Sequence, residues 1–229
     1  MKIPNSKSVS TQSGFTLIEI AIVLVIIGLL LGGVLQGQQL IENSRVKSAT
    51  NFFNGIAAAA FSYQDRYGRM PGDDGPALAN LTARGGAWGN IPTTAFGNTD
   101  GILTATAANA FAGSGEGAFF FTHLRAAGFI TGDPATPVGS AAILPSNPFG
   151  GVIGMVGATI WTNMNGNKIC MSNVPGSAAI ALDNQLDDGT SDTGRFRAEQ
   201  DTTGVTPPTS ATAATAYDEN LNYTVCYRM

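Results

Sequence analysis

"SGFTLIEIAIVLVIIGLLLGG", Ser13 to Gly33, decides how the rest of the chain is read. The stretch is apolar enough for lipid, yet it carries a carboxylate, Glu19, near its start. From Ile20 to Ile41 no residue is charged, and most are Ile, Leu, Val or Gly. As a helix that run would be about 33 Å long at ~1.5 Å per residue, enough for a hydrocarbon core of ~30 Å. A single membrane span is expected, within about residues 15–39.

Upstream, Met1–Gly14 is short and polar, with Lys2 and Lys7 and no acidic residue. A secretory signal peptide places its apolar core before a small-residue cleavage site. Here the small residue comes first. Cleavage after Gly14 would therefore leave the apolar segment on the mature chain. It would also create a free amine on Phe15, mostly protonated at neutral pH, one helical turn along the same face from Glu19. An isolated carboxylate in hydrocarbon is costly, and an amine from the same chain or a neighbour would relieve that cost. A neighbour's amine would turn the pair into a register device for stacking subunits.

Gly14-Phe15-Thr16-Leu17-Ile18-Glu19, followed by the unbroken apolar run, closely resembles the prepilin signature of type IV pilins and type II secretion pseudopilins. The resemblance implies that a prepilin peptidase cleaves between Gly14 and Phe15 and methylates the Phe15 amine. It implies too that Glu19 pairs with the Phe15 amine of an adjacent subunit during assembly. It covers about the first fifty residues well. Later pieces, "YQDRYGRMPGDD" (Tyr63–Asp74), "THLRAAGFITG" (Thr122–Gly132) and "VPGSAAIALDNQLDDG" (Val174–Gly189), also look like pilin-family heads. The chain departs from many pilins in having no proline between Phe15 and Gln39, with Gly28, Gly32, Gly33 and Gly37 there instead, and in a somewhat longer leader.

The expected fold class is α+β and pilin-like: a long N-terminal helix, half membrane and half amphipathic, packed on a head with an antiparallel β-sheet and short helices. The expected domains are a leader at 1–14, the helix at 15–67 and an extracytoplasmic head at 68–229. Beyond Gln39, apolar residues recur at Ile41, Ala49, Phe52, Ile56, Ala60, Tyr63 and Tyr67, which marks an amphipathic continuation that Gly68 can stop. Gly68 to about Gly113 reads as a long loop with short embedded elements. Glu116–Ala127 reads as a short helix with Ser114 as N-cap, Gly128 as stop, and Phe119, Phe120 and Leu124 inward. Strands are expected at Gly151–Val156, Thr159–Met164, Lys168–Val174 and Asn222–Tyr227, with a helix from Gly176 to about Leu186.

Cys170 and Cys226 are the only cysteines. They are either two buried thiols or one disulfide, the second if the head lies in an oxidising compartment, where it would staple the last strand to the sheet. "LDDGTSDTG" (Leu186–Gly194) reads as the only carboxylate cluster, with Asp183 one turn before Asp187; "PGDDG" (Pro71–Gly75) could hold a cation but reads as a solvated turn. Asp187, Asp188 and Asp192 at a helix C-terminus oppose its dipole, so either Arg195 and Arg197 or a Ca2+ ion should compensate.

His123 is the only histidine, so no two-histidine metal site exists within one chain, and no G-x-S-x-G elbow supports a serine nucleophile. With a net charge of −4 and no Lys/Arg cluster, nucleic acid is not an expected partner. The reading is a non-enzymatic filament subunit, either of a type IV pilus or of a type II secretion pseudopilus. Its expected partners are copies of itself or other pilins, prepilin peptidase, an inner-membrane assembly platform and, before assembly, lipid. It would sit in the inner membrane, single-pass, and then in a surface or periplasmic filament. The rival reading is a membrane-tethered surface-binding module that does not polymerise.

Overall fold

A computed structural model describes residues 14–161, 163–209, 213 and 216–229. The leader residues 1–13, with Lys2 and Lys7, lie outside them. Helix α1 runs unbroken through Leu17–Tyr67, 51 residues. No proline interrupts it, and it ends where Gly68 adopts φ +69° and donates its N–H to the Gln64 carbonyl (2.7 Å). Such a left-handed terminal glycine satisfies a carbonyl that the helix would otherwise leave open. The chain divides into two compact units, Met1–Asn43 and Ser44–Met229, with α1 continuous through the division.

Within the second unit α1 buries Val46, Ala49, Phe53, Ile56, Ala60 and Tyr63. Their steps of three and four residues trace one helical face. Phe53, rather than Phe52, is the fully buried aromatic. Its ring meets those of Phe196 and Tyr227 edge-on, at centroid distances of 5.9 and 5.7 Å.

Those two rings belong to a four-stranded sheet of order β1-β2-β4-β3, formed by β1 Ile153–Val156, β2 Lys168–Pro175, β3 Phe196–Gln200 and β4 Asn222–Arg228. All three pairings are antiparallel, and one row aligns Met155, Ile169, Tyr227 and Phe196. Side chains alternate across a sheet, so the face bearing this row is the one that receives α1. The neighbouring row, Gly154, Cys170, Cys226 and Arg197, points to the other face. There the backbone of Ala110 comes so near Gly154 that a side chain would collide with its carbonyl.

Three helices complete the second unit: α2 Leu78–Thr82, α3 Gly115–Ala126 and α4 Gly176–Leu186. The expected α+β, pilin-like architecture is observed, with three of the four expected strands in place. Thr159–Met164 is not a strand. It is a turn held by one bridge, Ile160 to Met164, with Trp161 and Asn163 at positive φ. The turn folds over the second face of the sheet. Trp161 Nε1 donates to Glu199 Oε2 (2.6 Å), and Arg197 Nη1 donates to the Trp161 carbonyl (2.8 Å). Lys168 holds it from below, donating to the carbonyls of Ala158 (2.7 Å), Met164 (3.1 Å) and Gly166.

β3 was not expected. Phe196 and Ala198 alternate inward, while the charged Arg197 and Glu199 between them are the residues that anchor Trp161. In α3, Phe120, Phe121 and Leu124 are buried and Phe119 only partly so. Ser114 occupies the N-cap position but its hydroxyl makes no capping bond.

Candidate functional site

The N-terminal segment is built from a local motif. Thr16 N–H and Oγ1–H both donate to Glu19 Oε2 (2.9 and 2.8 Å), and Glu19 N–H donates back to Thr16 Oγ1 (3.3 Å). Thr-x-x-Glu exchanging bonds in this way is a capping box, which satisfies two of the N–H groups a helix leaves open at its start. Glu19 therefore has a role inside its own chain, which the sequence reading missed although the pattern is visible there. Gly14 and Phe15 precede the helix in open backbone, and the Phe15 side chain is 83% exposed.

Past the cap, α1 is long and apolar enough to cross a membrane, and none of its most apolar stretch is buried. Ile18, Leu24, Leu29, Leu35 and Leu40 are all exposed. Gly28, Gly32, Gly33 and Gly37 have no neighbour within 4 Å. Apolar surface on this scale does not face water in a stable protein. Chemically the segment offers a small-residue peptide junction, a lone carboxylate one turn away, and a smooth greasy rod.

The two cysteines form a disulfide, Cys170–Cys226, between directly opposed residues of β2 and β4. Of the expected acidic residues, Asp187 and Asp188 come together, joined by Asp183, with one carboxylate oxygen of each within 4.8 Å of the others. Asp192 is exposed and not part of that group. The chain's own donors serve all three. Asp183 accepts from Tyr217 OH (2.6 Å) and Gly189 N–H (3.1 Å), Asp188 from Thr193 Oγ1–H (2.6 Å) and Thr190 N–H (2.9 Å), and Asp187 from the N–H groups of Arg195 and Phe196. Burial pushes Asp183 up, whereas the Thr193 and Thr190 bonds hold Asp188 down. The Arg195 guanidinium goes instead to the Arg228 carbonyl (2.9 Å) and the Tyr227 ring. This turn shapes the entry into β3.

Sequence reasoning also passed over a buried polar knot at the end of α1. Tyr63 OH donates to Asp74 Oδ2 (2.6 Å), Arg84 Nη2 lies 2.8 Å from the same oxygen, and Arg84 Nη1 donates to Tyr63 OH (3.1 Å). Burial, then the Asp74 carboxylate, push Tyr63 up, so its proton stays in place. His123, fully buried, stacks on the Tyr63 ring. Its Nδ1 accepts the Gly72 N–H (3.0 Å) and its Nε2–H donates to the Ala95 carbonyl (2.9 Å). Those partners demand the neutral ring, and burial pushes His123 down to about 4.

One comparison with known proteins falls on the same segment. Residues 9–35 match the prokaryotic N-terminal methylation motif. A stretch of 96 residues is 35% identical to the fimbrial protein EcpC of Eikenella corrodens, covering 42% of this chain and 62% of that protein. The chain thus matches less than two thirds of that relative's length. It carries the prepilin-type N-terminal methylation motif at the start of a pilin-like α+β fold.

Proposed function

We propose that the chain is a structural subunit of a type IV pilus or pilus-like filament. A prepilin peptidase cleaves it between Gly14 and Phe15 and methylates the new Phe15 amine. The subunit waits in the inner membrane as a single-pass protein with its head outside the cytoplasm. An assembly platform then extracts it into the filament, where helix contacts with other copies replace lipid contacts. The observation that carries this reading is the methylation motif placed on a capped apolar helix with no cover of its own. The head offers it no catalytic constellation among the described residues.

Mass spectrometry of the N-terminal peptide from a membrane fraction is the first test. A start at N-methylated Phe15 is expected. A start at Met1 in cells with active prepilin peptidase leaves a tethered head and ends the filament reading. Glu19 supplies the second test, and the capping box dictates its design. Glu19→Gln keeps a capping-box residue but removes the charge. Filaments should be lost in Glu19→Gln as fully as in Glu19→Ala, with the head folded in both. Wild-type filament yield from Glu19→Gln would reduce Glu19 to a helix cap. Surface display of the filament indicates a pilus, and confinement to the periplasm a secretion pseudopilus.

A further inference from the structure

Beside Asp74 stands a second carboxylate whose situation is different. Asp73 is only 2% exposed. Its Oδ2 accepts the Gly101 N–H (2.9 Å), but its buried Oδ1 finds no donor among the described residues. Nor can the backbone carry it elsewhere. The Asp73 carbonyl accepts the Thr99 N–H (3.0 Å), and Gly97 packs so tightly on Asp73 that a side chain at 97 would strike its main chain.

Asp73 lines a cavity of about 280 Å³ together with Gln64, Gly68, Arg69, Thr99 and Gly101. Of the nearby charges, Asp74 is already matched by Arg84 and Tyr63. The Arg69 guanidinium lies 3.9 Å from Asp74 Oδ1, not against Asp73. A buried carboxylate oxygen with no donor is a standing cost, and a cation in the cavity removes it. The other walls offer neutral oxygens. Gln64, whose amide N–H is turned toward the Met70 sulfur (3.7 Å), and Thr99 are the neutral oxygen-bearing residues among them.

We propose that Asp73 anchors a weak site for a divalent, oxygen-seeking cation of the calcium type, between the last turn of α1 and the Asn98–Gly101 turn. Calcium accepts irregular sets of carboxylate, carbonyl and water oxygens, whereas magnesium demands a near-ideal octahedron. One carboxylate among neutral donors places the affinity in the weak range of about 10⁻⁴–10⁻³ M. The site is separate from the Asp183–Asp188 turn and stands independently of the filament reading.

The test is thermal unfolding of the full chain in detergent micelles, stripped with chelator, followed by Trp fluorescence. Calcium chloride at 10 mM should raise Tm by roughly 3–10 °C over sodium chloride of equal ionic strength. Asp73→Asn, which can still accept from Gly101, should erase the rise. The double variant Asp187→Asn/Asp188→Asn should keep it, and Arg69→Gln should keep or enlarge it by removing a like charge from the wall. No calcium-specific rise in the wild type, or a rise that survives Asp73→Asn, overturns the proposal. So does loss of the rise in the Asp187/Asp188 variant, which moves the cation to that turn. A destabilised Arg69→Gln without a calcium response names Arg69 as the partner of Asp73 and overturns it as well. Should Asp73→Asn fail to fold, the other two variants decide.

Discussion

His123 ties two loops together with a ring that cannot take a second proton without breaking a bond. Protonation would set an Nδ1–H against the Gly72 N–H that it now accepts from. Its folded pKa of about 4 lies below the ordinary histidine value of 6.5. Its stabilising contribution is therefore complete above pH ~6.5 and drains away as pH falls toward 4. Urea unfolding should show a loss of about 2–3 kcal/mol between pH 7.5 and 4.5. His123→Gln should flatten that slope while lowering stability at neutral pH. Asp201 adds to the trend at lower pH. Burial alone would raise it, but bonds from Thr206, Asn173 and Thr203 outweigh this and hold it down. Lys168, also fully buried, has a single task. Lys168→Met takes the donor from the Ala158 and Gly166 carbonyls, leaves Met164 only its bond from Ile160, and should cost about 3 kcal/mol, with hydrogen exchange rising first in residues 158–166.

At the scale of elements, the cross-strand disulfide closes a loop with a sequence separation of 56. On the chain-entropy account that constraint is worth about 4 kcal/mol. Cys170→Ser/Cys226→Ser should lower stability by that order in denaturant titrations while β2 and β4 keep their register. Elements with a periodic signal and a glycine stop were legible in the sequence: α1, α3 and α4 lie within a residue or two of where period and punctuation put them. β3 was not: Phe196 and Ala198 do alternate with Arg197 and Glu199, but five residues with one large apolar side chain give a weak signal, and the purpose of the two charges is visible only once Trp161 sits above them. The same contact explains the turn at Thr159–Met164. Its β-rich composition suits a buried segment, and only the Lys168 donors and the opposite face of the sheet determine that it curls. Of the candidate site, the carboxylate and the apolar run were readable from spacing. Thr16's share in the cap was readable too, from Thr-x-x-Glu before an apolar stretch. The Tyr63–Asp74–Arg84 knot and the orphaned oxygen of Asp73 were not, since they depend on contacts between residues far apart in the chain.

For the whole molecule, the buried core begins at Val46, and the second unit is contained within Ser44–Met229. Produced in an oxidising compartment, residues 44–229 should be a soluble monomer by light scattering, with the Cys170–Cys226 bond formed and a cooperative melt. The full chain should need detergent. A fragment that aggregates or melts without cooperativity would show that the head depends on the segment before it.

The order of the sheet carries a further consequence. β4, which follows β2 and β3 in the chain, lies between them rather than at an edge. When the polypeptide emerges N-terminus first, β2 and β3 have nothing to join them until Asn222–Arg228 arrives, and Cys170 has no thiol to meet. The head is thus an arch whose keystone follows both of its sides in the chain. Until it is in place, the facing edges of β2 and β3 are unpaired and open to wrong partners.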